Sequence, residues 1–459
     1  MKNLLKTLIG LTLCAAPLAG AATVENQQQI RQGEYLARAG DCFACHSVGG
    51  GKPFAGGLGM ETPIGKVYSS NITPHKTAGI GTWTFADFDK LMRTGVTKAG
   101  YTVYPAMPYP SYSRLSSADM HALYAYFMGG VQPDATPNKK ADIPWPLSMR
   151  FPLAIWRWAF APAPVPYTVP AAAGANAQLL RGAYLVEGLG HCGACHTARG
   201  LGMQEKALTN LDGSDYLAGG AVIDGWNVPS LRNEHGGGLA RWTQADIVAF
   251  LKSGRNGHTA SFGAMNDVVA QSMQYMTQDD LASIAAYLKS LPPHQQARPF
   301  VANPAVAQAL FNGKPGSTGA QIYLNKCAGC HRSDGVGYST AFPSLAGNAV
   351  LQTMDATSAI NIILSGGAVP STRTAPSALT MAPYAKELND EQVAQVVNFI
   401  QTSWGNQGGT TTAKAVAKVR KTAIPVLASQ TAASFAAGRA VAQPVPVVRD
   451  SHVDKRDSK

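Results

Sequence analysis

The 459-residue chain has little cysteine, no long apolar run beyond its first two dozen residues, and none of the usual signatures of a catalytic centre. Each shortage excludes a class of protein. Without a later stretch of ~20 apolar residues, the body of the chain is not expected to cross a bilayer. With no glycine-rich dinucleotide loop and no nucleophile set beside a base, chemistry on an organic substrate is not written into it. Charge is also misleading in bulk: the formal net charge is +11, but residues 411–459 hold nine Lys or Arg against three Asp, and Lys2 and Lys6 lie at the extreme N-terminus. The body is close to neutral, so the basic balance does not indicate a nucleic-acid partner.

What is present begins with a leader. MKNLLKTLIGLTLCAAPLAGAA places Lys2 and Lys6 before an apolar run and Ala19-Gly20-Ala21 after it, the pattern of a signal peptide over residues 1–21. An exported protein is expected. Cys14 lies inside the leader and, preceded by Leu13, leaves with it.

The other six of the seven cysteines all fall in one motif, Cys-x-x-Cys-His, read three times as CFACH (Cys42, Cys45, His46), CGACH (Cys192, Cys195, His196) and CAGCH (Cys327, Cys330, His331). A disulfide scaffold needs no histidine after each pair, a zinc site would need further ligands that no longer include cysteine, and a redox dithiol is expected once per domain. Haem attachment uses every residue: two thiols form thioethers with the vinyl groups, and the histidine becomes the proximal iron ligand. Three covalently bound haem c groups are expected.

The motif copies are spaced like small domains, and the surrounding sequence repeats with them. GEYLARAGDC (from Gly33) matches GAYLVEGLGHC (from Gly182), with IYLNKC (from Ile322) as the third version. WTFADFDKLMRTG (from Trp83) matches WTQADIVAFLKSG (from Trp242), and TSAINIILSGG (from Thr357) is the reduced form. Each repeat closes with a capped apolar helix, at Ser116 and Asp119, Thr277 and Asp280, and Asn389 and Gln392, only the last having the Gln of a full capping box. This order of helices and loops looks like a class I cytochrome c domain. The fold class expected is all-α, three tandem cytochrome c domains over 26–135, 176–295 and 315–406. Between and after them come a docking or linker segment at 136–175, a linker at 296–314 and a basic tail at 407–459, membrane-associating or disordered.

The sixth iron ligand is expected from the loop before each last helix. YPAMPY offers Met107, FGAMND offers Met265 and LTMAPY offers Met381, at equivalent places in the three repeats. Met273 and Met276 crowd the second site but lack that equivalence. Met60, Met92, Met120, Met128, Met149, Met203 and Met354 read as core fillers. His191, next to Cys192, is placed to tune the second haem. SNITP, NVPSL and FPSLAGN, between motif and second helix, read as turns or as loops against the haem edge that bond a propionate.

From about Gly33 to Asn406 the chain resembles the triheme cytochrome c subunits of bacterial membrane-bound dehydrogenases. These include the quinoprotein alcohol dehydrogenase and the flavin-dependent gluconate, sorbitol and glucose dehydrogenases. The resemblance rests on GEYLARAGDCFACHS, SNITP, YPAMPYPSYSRLSSADMHALYAYF, LSMRFPLAIWRW, RGAYLVEGLGHCGACHT and SWGN. It implies covalent haem at Cys42, Cys45, Cys192, Cys195, Cys327 and Cys330, and axial ligands at His46, His196, His331, Met107, Met265 and Met381. It further implies a catalytic partner subunit with PQQ or FAD, delivery of electrons to ubiquinone, and peripheral attachment to the membrane. A cytochrome serving a molybdopterin aldehyde or N-heterocycle dehydrogenase is the alternative, and a peroxidase-type multihaem enzyme a further one. Two segments depart from a plain cytochrome: LSMRFPLAIWRWAF (147–160), a docking or membrane-interface surface or an interdomain packing element, and the basic tail.

Overall fold

A computed structural model describes residues 18–161, 163 and 176–423. Most of the leader, most of APAPVPYTVP and residues 424–459 lie outside the described residues, so the signal-peptide cleavage and the fate of the far tail are not addressed by it.

The first repeat runs through helices α1 (Leu18–Ala39), α2 (Phe85–Thr94) and α3 (Ser117–Gly129); α4 (Phe151–Phe160) follows. The second has α5 (Ala177–Ala183), α6 (Gln244–Ser253) and α7 (Gln278–Ser290). After α8 (Pro304–Phe311) the third has α9 (Thr318–Lys326), α10 (Thr357–Ser365) and α11 (Asp390–Thr402), with α12 (Ala413–Arg420) behind it.

In each repeat the first helix crosses the last at a glycine. A Cβ on Gly33 would lie 1.9 Å from the Ala122 carbonyl oxygen, on Gly182 2.1 Å from that of Ser283, and on Gly319 2.2 Å from that of Gln395. No real side chain tolerates such distances, so the crossing depends on glycine at all three points. The longer spacing in GAYLVEGLGHC is absorbed locally: α5 continues as a π-helical turn over Tyr184–Leu189, which takes up the one extra residue before Cys192.

The helix caps follow the sequence. Ser116, Thr277 and Asn389 each accept a hydrogen bond from the backbone N–H three residues on, and Gly95 and Gly254 end the second helices with φ of 69° and 75°. Three features differ from expectation. The fold is helix-rich but not purely α, because three two-stranded antiparallel ribbons occur: β1 (Gly59–Thr62) with β2 (Gly65–Tyr68), β3 (Val222–Ile223) with β4 (Trp226–Asn227), and β5 (Gly367–Ala368) with β6 (Thr380–Met381). They are too short to carry an alternating pattern a sequence reader could detect. The 296–314 stretch contains α8, whose Leu310 is 2% exposed in the core of the third repeat. The start of the 407–459 tail is folded as α12: Val416 is fully buried, and Arg420 donates to the Asp390 carboxylate and to the Ala385 and Leu388 carbonyls.

The cores divide unevenly. Leu36, Phe54, Phe88, Leu123 and Phe127 of the first repeat belong to one continuous apolar cluster with Leu185, Leu189, Ile247, Leu281 and Leu288 of the second. The third repeat has its own, built from Tyr323, Ile360, Leu364, Val393, Val397 and Trp404. Among the described residues no helix is long and apolar enough to cross a membrane.

Candidate haem sites

Each Cys-x-x-Cys-His segment is a short helical turn that follows the first helix of its repeat, at Cys42–His46, Gly193–His196 and Ala328–His331. All six cysteines are free thiols. Burial pushes the Cys42, Cys45, Cys192 and Cys327 thiols up to about 12. A redox dithiol needs the opposite, a thiol acidified toward a thiolate at neutral pH. No three His, Cys, Asp or Glu side chains converge as a metal cluster would require, among the described residues.

The three histidines share one environment. His46 Nδ1 lies 2.6 Å from the Ser70 carbonyl oxygen, His196 Nδ1 2.8 Å from that of Pro229, and His331 Nδ1 3.0 Å from that of Pro343. Burial holds all three imidazoles below the ordinary histidine range, partly offset by these bonds, so the rings are neutral. A neutral ring bonded to a carbonyl carries its proton on Nδ1, leaving the Nε2 lone pair for a metal. The acceptors come from SNITP, NVPSL and FPSLAGN. Those loops, read from sequence as turns or propionate contacts, each supply the carbonyl that meets the histidine of the motif. Their shared position in the repeats was the visible signal; the carbonyl's target was not.

The methionines divide by burial. Met107 and Met265 are half-buried against the first core and Met381 against the second. Met107 sits in a turn, Met265 opens a short helical turn, and Met381 is in β6. Met273 and Met276 are packed into the core at 5% and 3% exposure, where each fills space. Of the expected fillers, Met92 and Met120 are buried, whereas Met149, Met203 and Met354 are exposed. Asn266, which the sequence did not single out, ties the Met265 loop to the third repeat: it accepts from Ser261 Oγ at 2.6 Å and donates to the Ala368 carbonyl at 2.9 Å. Ala368 belongs to β5, whose neighbour Gly367 is in register with Met381.

A stretch of sequence that is similar to cytochrome c occurs three times: the family model for cytochrome c matches residues 30–129, 180–292 and 317–404. The chain belongs to the cytochrome c family. Membership implies covalently bound haem c, and the donor set fits it: free thiol pairs, neutral histidines with Nε2 available, and half-buried thioethers. Tyr109 Oη, two residues after Met107, is buried without a partner among the described residues, which suits a prosthetic group bearing carboxylates. Among curated relatives, the cytochrome c subunit of alcohol dehydrogenase (quinone) from Gluconacetobacter polyoxogenes is 52% identical over 92% of this chain and 89% of its own. The gluconate 2-dehydrogenase cytochrome c subunit from Pantoea cypripedii is 53% identical over 92% and 95%. A nicotinate dehydrogenase subunit from Pseudomonas putida is 37% identical over 81% of this chain, which corresponds to 30% of that longer protein.

His191 reaches out of its own repeat. It is half-buried, with φ of 37°; its Nε2 lies 3.3 Å from the Gly40 carbonyl oxygen, and its ring meets that of Tyr112 edge-on. Tyr112 Oη donates to the same Gly40 carbonyl at 3.0 Å. The first and second Cys-x-x-Cys-His segments thus approach each other across the two repeats.

Proposed function

We propose that this chain is the electron-transfer subunit of a dehydrogenase complex, carrying three haem c groups and passing electrons from a catalytic partner toward membrane ubiquinone. The observation that carries the reading is the threefold recurrence of one donor set, a free thiol pair, a carbonyl-oriented histidine and a half-buried methionine, in a chain about half identical to dehydrogenase cytochrome subunits along most of its length. Haem c supplies a reversible one-electron couple. The chain's own residues do the rest. Cys42 with Cys45, Cys192 with Cys195, and Cys327 with Cys330 would anchor the three groups, and His46, His196, His331, Met107, Met265 and Met381 would supply the donors to their irons. The units correspond to 26–135, 176–295 and 315–406. Substrate oxidation belongs to the partner, an alcohol or sugar dehydrogenase with PQQ or FAD, on the periplasmic face of the inner membrane. The similarity to a nicotinate dehydrogenase subunit favours, as a second reading, a molybdopterin partner acting on an aldehyde or N-heterocycle.

Three measurements test this. Pyridine haemochrome analysis should return three haems per chain. Met107→Ala, Met265→Ala and Met381→Ala should each lower one potential and open one ferrous haem to carbon monoxide; a variant without either effect overturns that ligand. Affinity purification from native membranes, with a substrate panel scored by haem reduction, identifies the partner. A wild-type protein with an open, high-spin haem would favour the peroxidase alternative instead.

A further inference from the structure

Helix α4 is turned inside out. Its one charged residue, Arg157, faces inward, with a buried Nε that has no hydrogen-bond partner among the described residues, while Phe151, Ile155 and Trp158 face solvent, Trp158 being 84% exposed. Exposed apolar groups continue at both ends: Trp145 and Leu147 before the helix, and Leu201 in the loop against its far end. An amphipathic surface helix ordinarily buries its apolar stripe and exposes its charge.

The helix is nevertheless firmly held. Trp156 Nε1 donates to the Gly202 carbonyl at 2.6 Å in the second repeat, and its ring meets that of Tyr109 in the first. Arg150 sits over the Tyr104 ring at 4.4 Å. The apolar face is therefore presented on a fixed platform bridging two repeats.

Charge selects the occupant. Within residues 143–161 there is no Asp or Glu; the charged residues are the exposed Arg150 and the inward-facing Arg157. Lys139 and Lys140 stand exposed just upstream, with the exposed Asp142 the one acidic residue between them and the helix. A projecting helix with an exposed tryptophan in its last turn, a second on the segment before it, apolar residues between them and cations at the rim matches a bilayer interface, where indole rings lie at headgroup depth and Arg or Lys meet lipid phosphates. We infer that α4, with Trp145 and Leu201, is the surface by which this chain lies on an anionic phospholipid bilayer. The inference rests on the peripheral membrane association proposed above and names the element responsible.

The test uses the full-length, haem-loaded protein in flotation with phosphatidylcholine vesicles containing phosphatidylglycerol. Wild type should float, and should float less on phosphatidylcholine alone. Ile155→Glu and Trp158→Glu should each weaken binding by roughly tenfold or more, since each removes an apolar anchor and adds a repelled charge. Trp145→Ser, outside the helix, gives an independent loss. Because these side chains are exposed, haem spectra and co-purification of the dehydrogenase subunit should not change. If the variants float like wild type, the surface is wrong while membrane association stands. If wild type itself does not float, both fall. If the variants keep their vesicles but shed the dehydrogenase, α4 is a protein contact and the inference is overturned. Equal flotation on both lipid mixtures overturns the role given to the cations.

Discussion

The first two repeats and the third solve the same packing problem differently. Repeats one and two share a single apolar core, and their joint carries a reciprocal pair of bonds: Tyr35 Oη donates to Asp280 and Tyr184 Oη to Asp119, each at 2.5 Å. Tyr35 and Tyr184 occupy the same place in the two repeats, as do Asp119 and Asp280, so the joint has approximate two-fold symmetry. The third repeat keeps a separate core and meets the second through polar contacts. Arg255 donates to the carbonyls of Thr340, Ala375 and Ser377, Asn266 to that of Ala368, and Arg241 to that of Gly347. Apolar surface shared between units couples their folding, whereas a hydrogen-bonded joint exchanges protein partners for water at small net cost. Repeats one and two should behave as one cooperative body and the third as another.

The largest test of that contrast is at the helix crossings. Gly33→Ala forces a methyl into the Ala122 carbonyl and should cost about 3 kcal/mol or more. The expected result by calorimetry and limited proteolysis is loss of both the first and the second repeat, with the third retained. Gly319→Ala should do the reverse, removing the third alone; joint loss of all three in either variant would break the comparison.

A smaller effect sharpens it within the joint. Asp280 also receives a bidentate pair of bonds from Arg181, both at 2.8 Å, whereas Asp119 has Tyr184 as its side-chain partner. Tyr184→Phe should therefore cost about 1.5–3 kcal/mol, the range for a hydrogen bond to a charged group, and Tyr35→Phe about half as much. Equal costs in denaturant melts would show that Arg181 does not share the load.

The smallest effect is in acid. Burial alone would raise the Asp280 carboxyl, but the hydrogen bonds from Arg181 and Tyr35 and the charge of Arg181 together hold it below its ordinary 3.8. A folded-state value below the unfolded one gives stability that is complete above the ordinary range and lost as pH falls through the depressed value. The paired repeats should thus loosen only below about pH 4. Asp280→Asn should remove that slope from the pair while leaving the acid melt of the third repeat unchanged.

These same aspartates show where sequence reading stops. Spacing identified Asp119 and Asp280 as N3 residues of helix caps, and the Ser116 and Thr277 side chains do accept their backbone N–H groups. At Thr84 and Thr243 the N3 aspartate turns back to close a capping box within its own helix. Asp119 and Asp280 instead send their carboxylates to a tyrosine of the other repeat. The exposed face of α4 is a further case: its Trp and Arg content was visible, but which residues point outward depends on the tyrosines and glycine it rests on.

By itself the sequence determined the features whose cause lies within a few residues: the Cys-x-x-Cys-His turns, the caps, the glycine stops and the threefold recurrence of methionine loops. Only the tertiary structure decided which carbonyl orients each histidine, that Met273 and Met276 are core, that residues 304–311 and 413–420 are helices of the third repeat, and that the repeats divide as two and one. Short-range backbone geometry is set by neighbouring residues. Partners 100 or more positions apart, such as Tyr35 with Asp280 or Asn266 with Ala368, are chosen by packing, and packing has no spacing to read.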